Sequence, residues 1–260
     1  MLTERKRLKA AWAYGPIGVA LLLALWEWGH LTYGSLVLPG LAETAVTLLT
    51  MFQDGKIGPA LAMTAGNSAM GWLIGVLAGS LAGTLAGLRE DVRLTLQPVA
   101  IILLGIPAIA WIVLALLWFG GRWAVVFTIA VAIAPIVFAA AVQGARSLDG
   151  DLSRMAKAFR APFAAMALDV YGPHMFSYLF PALATTLAMS WKVSVMAELL
   201  SGSGGIGDGI ATARAQVDTA ATMAWIVVVV CVLVIVDHLF LRSIQTRMEL
   251  WREDVPGRRS

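Results

Sequence analysis

Asp149-Gly-Asp-Leu-Ser-Arg-Met-Ala-Lys-Ala-Phe-Arg-Ala-Pro162, running on to Tyr171-Gly172-Pro173, is a polar island between two long apolar blocks. With Arg146 just ahead of it, the island carries Arg154, Lys157 and Arg160, so four cations fall within fifteen residues. Apart from the tails, no stretch of the chain is as basic. In a water-soluble protein a loop of this kind has no special meaning. Between apolar segments of membrane length it reads as a short helical handle on one membrane face, open to a soluble partner.

The flanking sequence supports that setting. Of 260 residues, 59% are hydrophobic and only 13% charged, with a mean hydropathy of +0.80, whereas soluble domains carry about 25% charged residues. About 20 apolar residues are needed to cross the hydrocarbon core as a helix. Six windows qualify: Tyr14–Tyr33, Thr64–Leu88, Thr95–Trp118, Trp123–Ala145, Met175–Glu198 and Thr222–Leu241. The expected organisation is a tail over 1–13, a six-helix membrane domain over 14–241 with the polar loop at 146–173, and a second tail over 242–260. The N-terminal basic run, Arg5-Lys6-Arg7 and Lys9, followed by apolar sequence resembles a secretory leader. No small-x-small site follows, so it reads as an uncleaved first span.

Charge orients these spans. Placing the N-terminus inside puts four Lys/Arg in the first tail, two in residues 89–93, four in 146–160 and five after Leu241. The opposite face keeps one each, Lys56, Arg122 and Arg214. Fifteen against three is a strong positive-inside asymmetry. Both termini and the polar loop are therefore expected in the cytoplasm. Between the first two spans, Leu41, Ala45, Leu48 and Phe52 recur at helical spacing behind Pro39-Gly40, which predicts a short amphipathic helix on the outer surface.

Two spans carry four-residue patterns. Gly71, Gly75, Gly79, Gly83 and Gly87 form one ridge without side chains, suited to close helix approach within the subunit or between subunits. Thr186, Ser190, Ser194 and Glu198 form a polar stripe. Its hydroxyls can satisfy themselves on the preceding turn, but an ionisable group at the end of a span points to a cavity, so the stripe is a candidate lining for a translocation path. Lys192 lies about 200° around the helix from Ser190 and Ser194. It either snorkels or pairs with a carboxylate such as Glu27, or it serves as a gate or counter-charge for an anionic cargo. Asp237 and His238 read as interfacial, and Cys231, the single cysteine, as a small buried apolar residue.

Several chemistries are excluded. Gly202-Ser-Gly204-Gly-Ile-Gly207 matches G-x-G-x-x-G in form, but no strand precedes it, so it reads as a helix break. No G-x-x-x-x-G-K-[ST] sequence is present, hence no P-loop ATP site. The three histidines and one cysteine are scattered and make no metal site. No basic cluster interleaved with aromatics points to nucleic acid. An intramembrane enzyme would cluster its groups, whereas His30, His174 and His238 fall at separate edges. A stand-alone secondary transporter or channel, the alternative class, would show inverted repeats and ion-site carboxylates; only Glu27, Glu198 and Asp237 are candidates.

Leu36-Val-Leu-Pro39, Gly105-Ile-Pro107-Ala-Ile-Ala-Trp111 through Leu117-Trp118-Phe119-Gly120, and Ala197-Glu198-Leu-Leu with Ser203-Gly-Gly-Ile-Gly207 resemble the permease subunits of binding-protein-dependent ABC importers, in the nitrate/sulfonate/taurine branch. The resemblance covers nearly the whole chain. It implies the type I importer fold: all-α, six spans, an external amphipathic helix and a cytoplasmic coupling-helix loop. In that loop Asp149, Asp151 and Leu152 fit the approach, Ala156 the second alanine of the family's Glu-Ala-Ala triplet, Lys157 a basic position after it, and Pro173 the proline of its Leu-Pro pair. Arg154 stands in place of the glutamate, Met155 of the first alanine, Arg160 of the glycine, and Gly172 precedes the proline.

The resemblance also implies partners. Two ATPase subunits, which hold ATP and Mg, would contact Asp151, Arg154, Met155, Ala156, Lys157, Arg160 and Pro173. A periplasmic or extracellular substrate-binding protein would deliver cargo, and a second copy or a paralogous permease would complete the path in a bacterial cytoplasmic membrane. The chain itself would bind no cofactor and catalyse no reaction. Its cargo would be a small solute, of anionic type by that branch.

Overall fold

The computed structural model of the protein describes residues 2–148 and 166–236, and no strand occurs among them. In chain order the helices are α1 (Leu2–Tyr33), α2 (Leu41–Gln53), α3 (Ile57–Leu88), α4 (Glu90–Gly105), α5 (Ala108–Trp118), α6 (Gly121–Arg146), α7 (Gly172–Ser201), α8 (Ile206–Ala215) and α9 (Thr219–Val236). A π-helical turn, Met166–Tyr171, leads into α7. Among the described residues three helical stretches are long and apolar enough to cross a membrane: Ile57–Leu88, Gly121–Arg146 and Leu168–Ser201.

The glycine ridge decides the centre of the fold. A Cβ built at Gly71 would lie 2.6 Å from Ile129 Cβ, at Gly75 2.5 Å from Ile133 Cγ1, at Gly79 2.9 Å from Val137 Cβ and at Gly83 2.7 Å from Ala141 Cβ. Each partner stands 58 positions further along the chain. A constant offset means that α3 and α6 run parallel, with one residue of α6 seated over each glycine. Lipid tails are as apolar as leucine, so such helices associate through close packing, and the missing side chains bring the two backbones together. The ridge is thus an internal joint of the subunit. Beside this joint, Ile112 from α5, Val125, Ile129 and Ile133 from α6, and Val193 and Ala197 from α7 make one buried cluster.

The third apolar window departs from expectation. It is two helices, α4 and α5, bent by 98° at Ile106-Pro107. Pro107 has no N–H to donate and disfavours helical geometry at Ile106, whose ψ is 125°. The bent pair still recrosses the molecule. α3 ends at Leu88, while α6 begins beside Gly66 and Asn67, which Arg122 approaches. Those levels are about 22 residues apart on α3, or about 33 Å at 1.5 Å per residue, close to the thickness of a hydrocarbon core of about 30 Å.

The remaining elements gather at the end where α6 begins. α1 is tied to the α2 entry by three bonds: Trp26 Nε1 donates to the Pro39 carbonyl (2.8 Å), His30 Nδ1 lies 2.8 Å from the Leu38 carbonyl, and Glu27 Oε2 accepts from the Leu41 amide (3.1 Å). The last places a carboxylate on the free N–H groups at the start of α2, where the helix dipole favours it. α2 forms as expected, but the side that packs is Thr44, Leu48 and Met51, and Ala45 and Phe52 of the expected apolar face are exposed. Met51 sinks into a cluster with Trp191, Ile206, Ala213, Ala224, Trp225 and Val228, and Val46, Leu49 and Phe52 stay exposed. Cys231, expected to be buried, is exposed on α9: its helix packs through Ala224, Trp225 and Val228, and the cysteine lies off that stripe. Residues 237–260, with Asp237, His238 and the second tail, lie outside the described residues.

Candidate functional site

The polar stripe of α7 meets α3 antiparallel. Trp72 Nε1 donates to Thr186 Oγ1 (3.1 Å), Ser68 and Ser190 hydroxyls lie 2.9 Å apart, and Thr64 Oγ1 donates to Glu198 Oε2 (2.7 Å). Thr64, Ser68 and Trp72 are themselves four apart, so two complementary polar stripes close on one another. α7 runs opposite to both α3 and α6, starting where His174 Nε2 lies 3.2 Å from the Gly144 carbonyl and 3.0 Å from Ser147 Oγ.

Glu198 is the centre of the arrangement. Its carboxylate accepts from Thr64, from Asn67 Nδ2 (3.0 Å), from Ser194 Oγ (3.2 Å) and from the Gly207 amide (3.3 Å). A carboxylate has about four acceptor sites, so a fully buried acid is fully hydrogen-bonded, the condition for burying a charge-bearing group without a large penalty. Asn67 also receives Arg122 Nε at 3.0 Å. Arginine only donates and a carboxylate only accepts, which sets the Asn67 amide with its oxygen toward Arg122 and its nitrogen toward Glu198. α3, α6, α7 and the following loop are joined in one network.

The glycine-rich break closes over that carboxylate. Gly202 ends α7 in the left-handed region at φ 59°. Gly205 has φ +91°, and a Cβ there would stand 2.5 Å from Glu198 Oε2 and 2.7 Å from Thr64 Oγ1. Only glycine satisfies both conditions. Of the next two amides, Ile206 donates to Thr64 Oγ1 at 2.9 Å, the hydroxyl that itself donates to the acid, and Gly207 donates to Glu198 directly. Gly202–Gly207 is therefore a lid over Glu198, more than the plain helix break read from its sequence.

The residues expected to line a path are buried in this conformation. Thr186, Ser190, Ser194 and Glu198 have no solvent exposure even in the isolated chain, and a partner subunit can only cover more surface. In this conformation they fasten helices together and face no open path. The hydroxyl and acid types were read correctly as a shared face; what that face meets depends on α3, whose partners Thr64, Asn67, Ser68 and Trp72 were missed. Their signal was present as the four-residue spacing of Thr64, Ser68 and Trp72, obscured by the glycine ridge beside it. Lys192 behaves differently. It is exposed on the opposite side of α7, and among the described residues no carboxylate lies within ion-pair distance of it. Glu27, one expected partner, is engaged at the start of α2 instead.

At the other end, the expected coupling residues Asp151, Arg154, Met155, Ala156, Lys157 and Arg160 lie outside the described residues. Pro173 is the second residue of α7, where a missing N–H costs no helical bond. Nearby, the exposed Glu90 and the half-buried Arg93 are paired at the start of α4, and the hydrogen bond from Arg93 holds the Glu90 carboxyl below its usual range. No group of three or more metal-ligating side chains occurs among the described residues.

Known proteins share this plan. The chain is 26% identical over 254 residues, 96% of its own length and 92% of the relative's, to the putative aliphatic sulfonates transport permease protein SsuC of Bacillus subtilis (strain 168). It is 28% identical to the taurine transport system permease protein TauC of Escherichia coli (strain K12), over 96% of each chain. The nitrate import permease protein NrtB of Synechococcus elongatus is 26% identical over 76% of this chain and 78% of its own. An inward-facing structure of the MetNI methionine ABC transporter superposes with a TM-score of 0.57 at 19% identity, over 76% of this chain and 95% of that one, and shares the fold. The model of the binding-protein-dependent transport system inner membrane component family matches residues 71–250, from the first ridge glycine through the polar island into the last tail. With the ridge, the broken span and the Glu198 lid all inside that range, the chain belongs to the family of binding-protein-dependent transport system inner membrane components.

Proposed function

We propose that this chain is the path-forming permease of an ATP-driven importer, working with two ATPase subunits, a substrate-binding protein and a second copy or a paralogous permease. The observation that carries this reading is the family match over residues 71–250, which takes in the whole polar loop at 146–173. The chain performs no chemistry. ATP and Mg are held by the ATPases, which seat the basic island, and their closure moves the helices as bodies.

Six spans are proposed, with both termini and the island cytoplasmic. The parallel α3–α6 register, the antiparallel α3–α7 pairing and the recrossing by α4–α5 support that alternation, and the charge asymmetry sets its sense. The Glu198 lid then faces outward, where the binding protein delivers cargo. The cargo is a small anionic solute of the sulfonate, taurine or nitrate kind, the substrates for which the relatives are named.

The test is assembly. Co-expressed with candidate ATPases, the chain should co-purify as a stable complex and stimulate ATP hydrolysis. Reversal of both Arg154 and Arg160 to Glu should abolish each. Retention of both activities by the double reversal would show that the island is not the coupling element.

A further inference from the structure

We infer that the free face of α7, running Ser177, Pro181, Thr185, Lys192 and Met196, lines the solute path, and that Lys192 is its anion-selecting charge. This rests on the reading of the chain as an importer permease.

The five residues fall within about 100° of arc at 100° per residue, and all five are exposed. The buried stripe Thr186–Ser190–Ser194–Glu198 occupies the other side of the same helix. One face is therefore spent on holding α7 to α3, and on the other these five residues stay exposed while Val195 on the same arc packs against the Trp191 cluster. The exposed set has the wrong composition for lipid. It carries an ammonium with no carboxylate within ion-pair distance among the described residues and two hydroxyls, Thr185 donating to the Pro181 carbonyl and Ser177 to the His174 carbonyl. Pro181 has no N–H, so the Ser177 carbonyl on this face also loses its helical donor. Ionisable groups within spans face cavities or protein.

Lys192 lies nine residues, about 13 Å, before the Ser201 end of α7. A solute entering from the lid end meets that cation before the hydroxyls. A compact anion would gain from it without a competing acid, and a cation would be repelled. Selection by charge alone would suit nitrate or an alkyl sulfonate equally.

The experiment uses the full chain assembled with its ATPases, in a Cys231→Ser background, and two thiol probes of similar size. One is the anionic 2-sulfonatoethyl methanethiosulfonate and the other the cationic 2-trimethylammonioethyl methanethiosulfonate. Met196→Cys and Thr185→Cys should react, and Ser190→Cys should not. Relative to a free thiol, the anionic probe should be favoured about tenfold at 196, one turn from the charge, and about fourfold at 185, two turns away, as expected for unit charges in water at about 6 and 10 Å. Lys192→Gln, which disturbs no packed atom, should bring both ratios to about one. An ammonium that merely snorkels to the lipid headgroups would leave position 185 unreactive, and that result overturns the assignment, as do ratios that Lys192→Gln does not move. Failure of the unsubstituted chain to hold its ATPases would instead overturn the importer reading, so the two failures are separable.

Discussion

Adding a single methyl group at Gly79 should loosen the joint between α3 and α6. A Cβ there would lie 2.5 Å from the Ala134 carbonyl oxygen, 2.9 Å from Val137 Cβ and 3.1 Å from the Phe138 amide nitrogen. Two of these are backbone atoms, so no change of rotamer relieves the contact. Heavy atoms pack best at about 3.5–4.0 Å, and restoring that spacing requires the helices to part by about 1 Å. A gap of that size forfeits up to half of each pairwise attraction of about 0.1–0.2 kcal/mol. Over about thirty atom pairs flanking the ridge, the loss is about 2 kcal/mol, within the usual range for an overpacked core. The helix preference of alanine over glycine returns up to about 1 kcal/mol. Gly79→Ala should then be destabilised by about 1 kcal/mol and Gly79→Leu by about 3 kcal/mol.

The assay is thermal unfolding of the purified protein in one detergent, with the monodisperse yield recorded beside it. About 2–4 °C per kcal/mol for a chain of this size gives losses of about 3 °C for Ala and about 9 °C for Leu. Gly58→Ala is the control, because it lies on the same helix with nothing within 4 Å of its Cβ. It should match or exceed the parent. Equal melting temperatures for Gly79→Leu and the parent would refute the parallel register, since no arrangement with Val137 over Gly79 tolerates that side chain.

Further outcomes follow from the lid and the free surface. Gly205→Ala meets both a positive φ and the Glu198 carboxylate, so it should lose folded yield more severely than Gly202→Ala, whose Cβ would come no closer than 3.9 Å to Asp208 Oδ1; equal yields would show that the lid does not close on the acid. Asn67→Ala and Glu198→Ala should each destabilise, and a double-mutant cycle should show strong non-additivity because the two groups share one hydrogen bond; simple addition would argue against that bond. Cys231 should react readily with a small membrane-permeant thiol reagent in the intact protein, and resistance until denaturation would contradict its exposed position on α9.

How much could be read beforehand depended on what each pattern specifies. A four-residue period states which residues share a face, so the glycine ridge and the hydroxyl stripe were both legible as faces. It does not state what a face meets. For the glycines the answer came from α6, where Ile129, Ile133, Val137 and Ala141 repeat with the same period and supply the bulk that the ridge lacks. For Thr186 to Glu198 the partner was the second polar stripe, Thr64, Ser68 and Trp72, which looked unremarkable beside the glycines. Pro107 was visible in the third window, but proline is common in membrane helices, and only the chain path through the bend distinguishes a kink from a 98° break.

Polarity inside a span has two opposite meanings, and α7 carries both. A polar group that must be buried is satisfied by groups arranged to match it, as Glu198 is by four donors and a glycine that leaves room for it. A polar group that must work on a passing solute has to be left unmatched. By that criterion the residues most suggestive in the sequence, an acid following three hydroxyls, meet the condition for a scaffold, and Lys192 on the reverse face meets the condition for a role in transport. The distinction predicts separable phenotypes. Substitutions in the Thr186–Glu198 stripe should lower the amount of folded protein and leave per-molecule transport near normal, whereas Lys192→Gln should leave the amount unchanged and lower the transport of an anionic solute. Measuring uptake normalised to folded permease decides the matter: a Ser190→Ala protein that folds fully but does not transport would return the stripe to the path and refute this assignment of the two faces.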